Sequence, residues 1–303
     1  MTYDNSINTR DMSHVKTFSE RHKHDFINAR NKIGIPYYFN KIDGTILSKI
    51  PAGKSLAGED YYGKDLFSVT LPAYYLALHP VTNEQYALFL NNIKPNSTLL
   101  NEWLRLGQND SYIYRVGKCY KVQKLKTEHP VVSVSWFGAA AYCFWAGLRL
   151  PTELEWEKGA RGVDGRAYPW GNEWDSKKCR NSKDKGPLAA ANIIELNTED
   201  NTTCGVWEYP EGCSPWGMFQ MAGNIWEWCS DWYDPHAYEH YRNGDLSPPT
   251  GDLCRVQHGG SYDDTHEGCF LNRTVHVNPP NAKIWRWGFR CALTYRNQDL
   301  SIF

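Results

Sequence analysis

At 303 residues the chain suits one large domain or two of ordinary size, and it is long enough to bury a sizeable core without disulfide or metal staples. Lys and Arg number 33 against 34 Asp and Glu, a net charge of -1. That balance argues against nucleic acid as the main partner, because such binding rests on a basic face that neutralises many phosphates, although local basic patches remain compatible with it.

The first 45 residues are polar, charged and without sustained period, and read as an arm or small helical appendage to a domain over 46–303. They hold no apolar run of signal-peptide length, and no stretch of about eighteen apolar residues occurs in the sequence, so the expectation is a cytoplasmic protein without a membrane span. From "TILSKIPAG" onward short strand-like runs alternate with Gly and Pro, and "FSVTLPAYYLALHPVT" predicts two strands meeting at Pro72.

A helix is predicted to follow. Thr82 with Gln85 forms a capping box, and Tyr86, Phe89 and Leu90 share a face. A second helix begins after Ser135, with Ala139, Ala140, Cys143 and Phe144 at helical spacing and Gly147 as its stop. A third follows the capping box of Thr152 and Glu155. Beyond residue 165 turn signals such as "YPWGNEW", "SPWGMF" and "GGSY" dominate. A Trp-rich, turn-rich half of this kind needs bound cations or aromatic packing to fix it. The nine Cys are odd in number, widely spaced and without a CxxC pair, which argues against a zinc ribbon or a thioredoxin-type motif and favours reduced thiols.

The segments "IPAG", "HPVTNEQYALFL", "HPVVSVSWFGAAAYCFWAGLRLPTELEWEKGARG", "YPWGNEWD" and "WGMFQMAGNIWEWCSDWYD", followed by "RVQHGGSY" and "WGFRCAL", stand in order over residues 46 to 295. Together they resemble the formylglycine-generating-enzyme (sulfatase-modifying-factor) family. The resemblance implies an α+β fold, a loop-rich variant of the C-type lectin fold with few regular elements. It is compatible with a copper-dependent oxidase, a sulfoxide-synthase-type iron enzyme or a non-catalytic binder, the last including variable proteins diversified by retroelements. Fold alone does not choose among these.

In the family's copper oxidases "GGSY" precedes two Cys that hold Cu(I) as a thiolate pair. Here the first of those positions is Asp264, and the second is retained as Cys269. One thiolate cannot make the linear two-sulfur site, so no copper is expected. Ser261 and Trp226 match residues that line the family's reaction pocket and, with Cys269, would carry catalysis if any survives. His258, His266, Cys269 and His276, with Asp264, offer ligand types suited to zinc or iron, but at irregular spacing.

For calcium the resemblance implies one site at Gln220, Gly223, Ile225 and Glu227 and a second at Asn192, Ile193 and Asp200, mostly oxygen donors on irregular backbone. Cys143 and Cys291 fall where some extracellular relatives hold a disulfide, and in a reducing compartment they would be adjacent thiols. With copper discounted, the stretch after "GGSY" reads as a recognition surface. Tyr262, Asp263, Asp264, Thr265, His266, Asn272, His276, Asn278, Asn281, Trp285 and Arg286 mix aromatic anchors with adaptable polar groups, as loops that bind a protein or other macromolecule do. A non-catalytic binder is therefore the leading expectation, with an oxidase or oxygenase of altered metal site as the alternative.

Overall fold

In the computed structural model, the described residues are 37–58, 66–107, 111–182, 202–251, 253–271 and 278–295. Short strands, helices of up to three turns and long connections alternate through them. Strands β1 (Tyr37–Phe39), β2 (Ile46–Ile50), β5 (Tyr74–Ala77) and β11 (Ala292–Thr294) form a four-stranded sheet in the order β1-β2-β5-β11, all pairs antiparallel. Because Tyr37 pairs with Ser48, residues 37–45 are an edge strand and its turn. The domain therefore begins before residue 46, where the polar composition had suggested an arm. Hairpin β3 (Gly53–Ala57) and β4 (Phe67–Leu71) follows, and Pro72 does separate β4 from β5.

Both capping boxes form. Thr82 opens α1 (Asn83–Ile93) with Gln85 bonding back to it, and Thr152 opens α4 (Glu153–Arg161) with Glu155 in the same role. Helix α2 (Ser97–Trp103) starts on an Asn96 cap, and hairpin β6 (Ile113–Val116) and β7 (Cys119–Val122) packs on α1. The Ser135 hydroxyl caps α3 (Trp136–Trp145), but its buried face is Gly138, Ala139, Tyr142, Cys143 and Trp145, and Phe144 points outward at 68% exposure. The i, i+3, i+4 rule permits either stripe, and aromatic contacts decide. The rings of Tyr86, Phe89, Tyr142 and Trp145 interlock at centroid distances of 5.2–5.7 Å, which turns Tyr142 rather than Phe144 inward.

The site-bearing element is a three-stranded sheet, β10-β8-β9, whose centre is β8 (Trp226–Trp232). β9 (Arg255–His258) runs antiparallel to it with His258 opposite Glu227, and β10 (Trp287–Gly288) runs parallel with Trp287 opposite Trp226. The chain leaving β9 and the chain entering β10 therefore emerge at the same end of β8, on either side of it. Helix α5 (Ala237–Arg242) follows β8. Side chains alternate across this sheet. Trp226, Trp228 and Trp287 enter the core built by α1, α2 and α3, and Cys229 and Val256 enter a second core with Trp156, Met218, Met221 and Leu271. Among the described residues no helix is long and apolar enough to cross a membrane.

Candidate functional site

Past β9, Gly259 and Gly260 take φ of +107° and +73°, reversing the chain over the sheet end. Only glycine fits at 260, since a Cβ there would lie 2.4 Å from the Gly268 carbonyl oxygen. That tight approach brings Ser261 and Asp264 beside the short 3-10 turn His266–Cys269. One oxygen of Asp264, Oδ2, then collects three donors: the Ser261 backbone N–H at 2.9 Å, the Ser261 hydroxyl at 2.6 Å and the Trp226 indole N–H at 2.9 Å. The Asp264 carboxylate is thus tied to Ser261 and Trp226, the two residues that the sequence resemblance assigns to the family's reaction pocket. Cys269 is fully buried one turn away.

Beside this cluster, a rim assembles from both loops that flank β8. The Tyr262 and Trp285 rings meet at 5.5 Å, the Arg286 guanidinium lies 5.2 Å from the Trp285 ring, and Arg286 faces Asp263 at 3.5 Å. Main-chain bonds seat it: Tyr262 N–H donates to the Asn224 carbonyl at 3.0 Å and Trp226 N–H to the Arg286 carbonyl at 2.9 Å. Of the expected recognition residues, Tyr262, Asp263, Trp285 and Arg286 converge, with Tyr262 itself buried at 7% exposure, whereas the half-buried Asp264 spends Oδ2 on Ser261 and Trp226. Thr265 and His266 sit exposed on the adjoining turn, His266 beside Trp174. Asn278 is drawn off to β9, where its amide donates to Gln257 at 3.1 Å, and Asn281 is exposed on a separate turn. Asn272 and His276 lie outside the described residues.

The described members of the zinc or iron set, His258, His266, Cys269 and Asp264, do not come together. His258 shares β9's other face, stacked on Trp156 at 4.9 Å with Nε2 3.2 Å from Glu153, while Asp264 bonds to Trp226 on the opposite face. Among the described residues no three His, Cys, Asp or Glu side chains gather as a metal site would require.

The residues expected to hold calcium at 220–227 fit that ion poorly. Glu227 is fully buried, and Arg290, equally buried, donates to it twice, at 2.6 and 2.8 Å, while the Trp156 indole adds a third bond at 2.8 Å. The Gly223 carbonyl accepts from Ile225 N–H at 2.9 Å, and the Gln220 carbonyl lies 3.4 Å from Arg290 Nη2. The guanidinium supplies the positive charge that a cation would otherwise bring, and it also ties the Ala77 and Phe219 carbonyls at 3.1 and 2.8 Å. A carboxylate already neutralised in this way is a weak ligand for calcium, which needs six to eight oxygens. The second expected set, Asn192, Ile193 and Asp200, lies outside the described residues.

Sequence reasoning missed Arg255, whose guanidinium is sandwiched between Trp136 at 3.8 Å and Trp232 at 3.5 Å; burial pushes its pKa down to about 10. It missed Arg290 as well, quoted only as part of "WGFRCAL". Trp followed by charged residues was the available signal, but the pairing was not, since Arg255 reaches back to Trp136 and Trp232 and Arg290 to Glu227. The sulfurs of Cys143 and Cys291 stand 3.5 Å apart, both buried, and burial raises the Cys291 pKa well above that of an ordinary thiol.

Among solved structures the chain is similar to Treponema denticola variable protein 1 (TM-score 0.59, 19% identity, covering 86% of this chain and 99% of that one) and to PvdO from Pseudomonas aeruginosa (TM-score 0.62, 18% identity, 86% and 99%). These likenesses place the fold with the formylglycine-generating-enzyme-like, C-type-lectin-like proteins. The serine/threonine-protein kinase Pkn1 of Chlamydia trachomatis serovar L2 is 36% identical over 230 residues, 74% of this chain and 34% of that protein. The formylglycine-generating enzyme of Streptomyces coelicolor is 38% identical over 180 residues, 55% of this chain and 53% of that enzyme. The chain thus spans about a third of the length of the first relative and about half of the second. Residues 40–295 match the sulfatase-modifying factor enzyme 1-like domain, which takes in every strand and helix described above except β1, and the chain belongs to that family.

Proposed function

We propose that the protein is a non-catalytic ligand binder that presents the Asp263, Trp285 and Arg286 rim, backed by the buried Tyr262 ring, on a C-type-lectin-like frame, to a protein or other macromolecule. The observation that carries this reading is the triply bonded Asp264 carboxylate. Cu(I) chemistry of the family type needs two soft sulfurs, and here the first position holds a hard oxygen ligand whose Oδ2 is occupied by Ser261 and Trp226. The rim has the composition of an adaptable recognition surface, a half-buried Trp285 ring, packed on the buried Tyr262, beside a charged pair. The likeness to a variable protein supports the finer reading that the segment 262–286 is diversified by a retroelement.

Two measurements test it. Protein titrated with Cu(I) against a chromogenic chelator, then given dioxygen and a cysteine peptide, is expected to take up no stoichiometric copper and to leave the thiol unchanged. The Asp264→Cys variant is expected to gain copper. Conversion of the peptide thiol to an aldehyde by the wild-type protein overturns the reading. For diversification, the genome is expected to hold a near-copy of the coding stretch for 262–286, differing mainly at adenines, beside a reverse transcriptase; its absence removes that subtype and leaves the binder.

A further inference from the structure

A concavity that shares no residue with the candidate site lies between the outer face of α1 and the β6–β7 hairpin and has a volume of about 760 Å³. That is the size of a ligand pocket rather than a packing gap. Ala87, Leu88 and Val122 contribute apolar surface to it, and Lys94, Lys118 and Lys121 also line it. Lys94 is held at the mouth by the left-handed cap that ends α1. Of the two carboxylates on the wall, Asp43 is turned into the core, where the Tyr142 and Thr45 hydroxyls hold it at 2.6 and 2.7 Å, so Glu84 alone stands against three lysines.

The charge continues beyond the wall. Between 115 and 126 the sequence places Arg115, Lys118, Lys121, Lys124 and Lys126 with no acidic residue, although the whole chain is balanced. Lys126 is drawn aside over the Tyr112 ring at 5.1 Å, but Arg115, Lys118, Lys121 and Lys124 are exposed. Apolar exposure concentrates here too. Of nine large apolar side chains exposed among the described residues, four belong to this region: Ile93 at the end of α1, Tyr114 and Val116 on β6, and Leu125 after β7. Cross-strand pairing sets Tyr114 opposite Lys121, so apolar and cationic groups share one face of the hairpin.

We infer that this groove docks an acidic segment of a partner protein, its apolar side chains seated on Leu88 and Val122 and its carboxylates on Lys94, Lys118 and Lys121. Charge complementarity selects an acidic partner, and the apolar floor requires side chains that a nucleic acid does not offer. The ring on the wall, Tyr120, is itself buried and gives no stacking platform for bases. A bilayer surface does not fill a concave groove.

The test uses the full-length protein and a fluorescein-labelled synthetic peptide alternating glutamate with leucine. Polyglutamate of equal length, a single-stranded oligonucleotide and vesicles of phosphatidylcholine with phosphatidylglycerol serve as comparisons. Peptide binding is expected to weaken about tenfold in K118E/K121E and with rising salt, since exposed charge pairs are screened. Leu88→Glu is expected to weaken it as well, with unchanged melting curves. Lys94→Glu replaces the double variant if that fails to fold. Four outcomes overturn the proposal: no peptide binding, equal binding of polyglutamate, binding of only the oligonucleotide or vesicles, or peptide binding that the lysine reversals leave unmoved.

Discussion

Asp264 and Glu227 are both acidic, and their surroundings give them different work. Asp264 ties the Gly259–Gly260 turn to β8 by accepting from Ser261 and Trp226, so Asp264→Ala strands a buried indole N–H and a backbone N–H. Denaturant unfolding is expected to register a loss of about 1–3 kcal/mol. Glu227 is a structural counter-ion. Removing its charge leaves Arg290 buried and unpaired, and Glu227→Gln is expected to cost about 3–5 kcal/mol in the same measurement. Since Arg290 already neutralises that carboxylate, any shift in melting temperature on adding calcium is expected to be the same in Glu227→Gln as in wild type. A calcium response abolished by that substitution would place the ion at Glu227 after all.

Elements whose information is local were legible in the sequence. The capping boxes at Thr82 and Thr152 each need four consecutive residues, and both helices start where the boxes put them. Thr152→Ala is expected to cost about 1 kcal/mol, read by thermal unfolding, because Glu155 N–H loses its acceptor. Strand β8 was not legible. "NIWEWCSDW" reads as loop because its Trp and charged residues are buried on both faces, so no polar alternation marks a solvent side. The pocket was half legible. The exchange of a thiol for Asp264 is visible in the linear chain, but its bond to Trp226 spans 38 positions and depends on the Gly259–Gly260 reversal. Residues 278–281 were grouped with the rim by proximity in sequence, yet β9 claims Asn278 before the chain returns to Trp285.

At the level of the whole molecule, acid–base balance is set by buried groups away from the pocket. Burial, with Glu153 as neighbour, raises Asp231 to about 7, so its contribution to stability is present below about pH 4 and is lost as pH climbs towards 7. Burial lowers His129 to about 4, so its contribution is full above pH 6.5 and is lost as pH falls towards 4. The two oppose each other across pH 4–7, and variants separate them. Asp231→Asn is expected to melt progressively higher relative to wild type as pH rises through that range, by roughly 2–4 °C for each kcal/mol recovered. A difference that stays constant with pH would show that Asp231 is already ionised. The frame that carries the rim is fastened differently from either core. Its footing is peptide to peptide, through Tyr262 N–H on Asn224 and Trp226 N–H on Arg286, with the two-residue β10 as clamp. Fasteners of that kind are indifferent to which side chains they carry. Side chains at 263, 285 and 286 are consequently expected to be interchangeable without re-engineering the scaffold beneath.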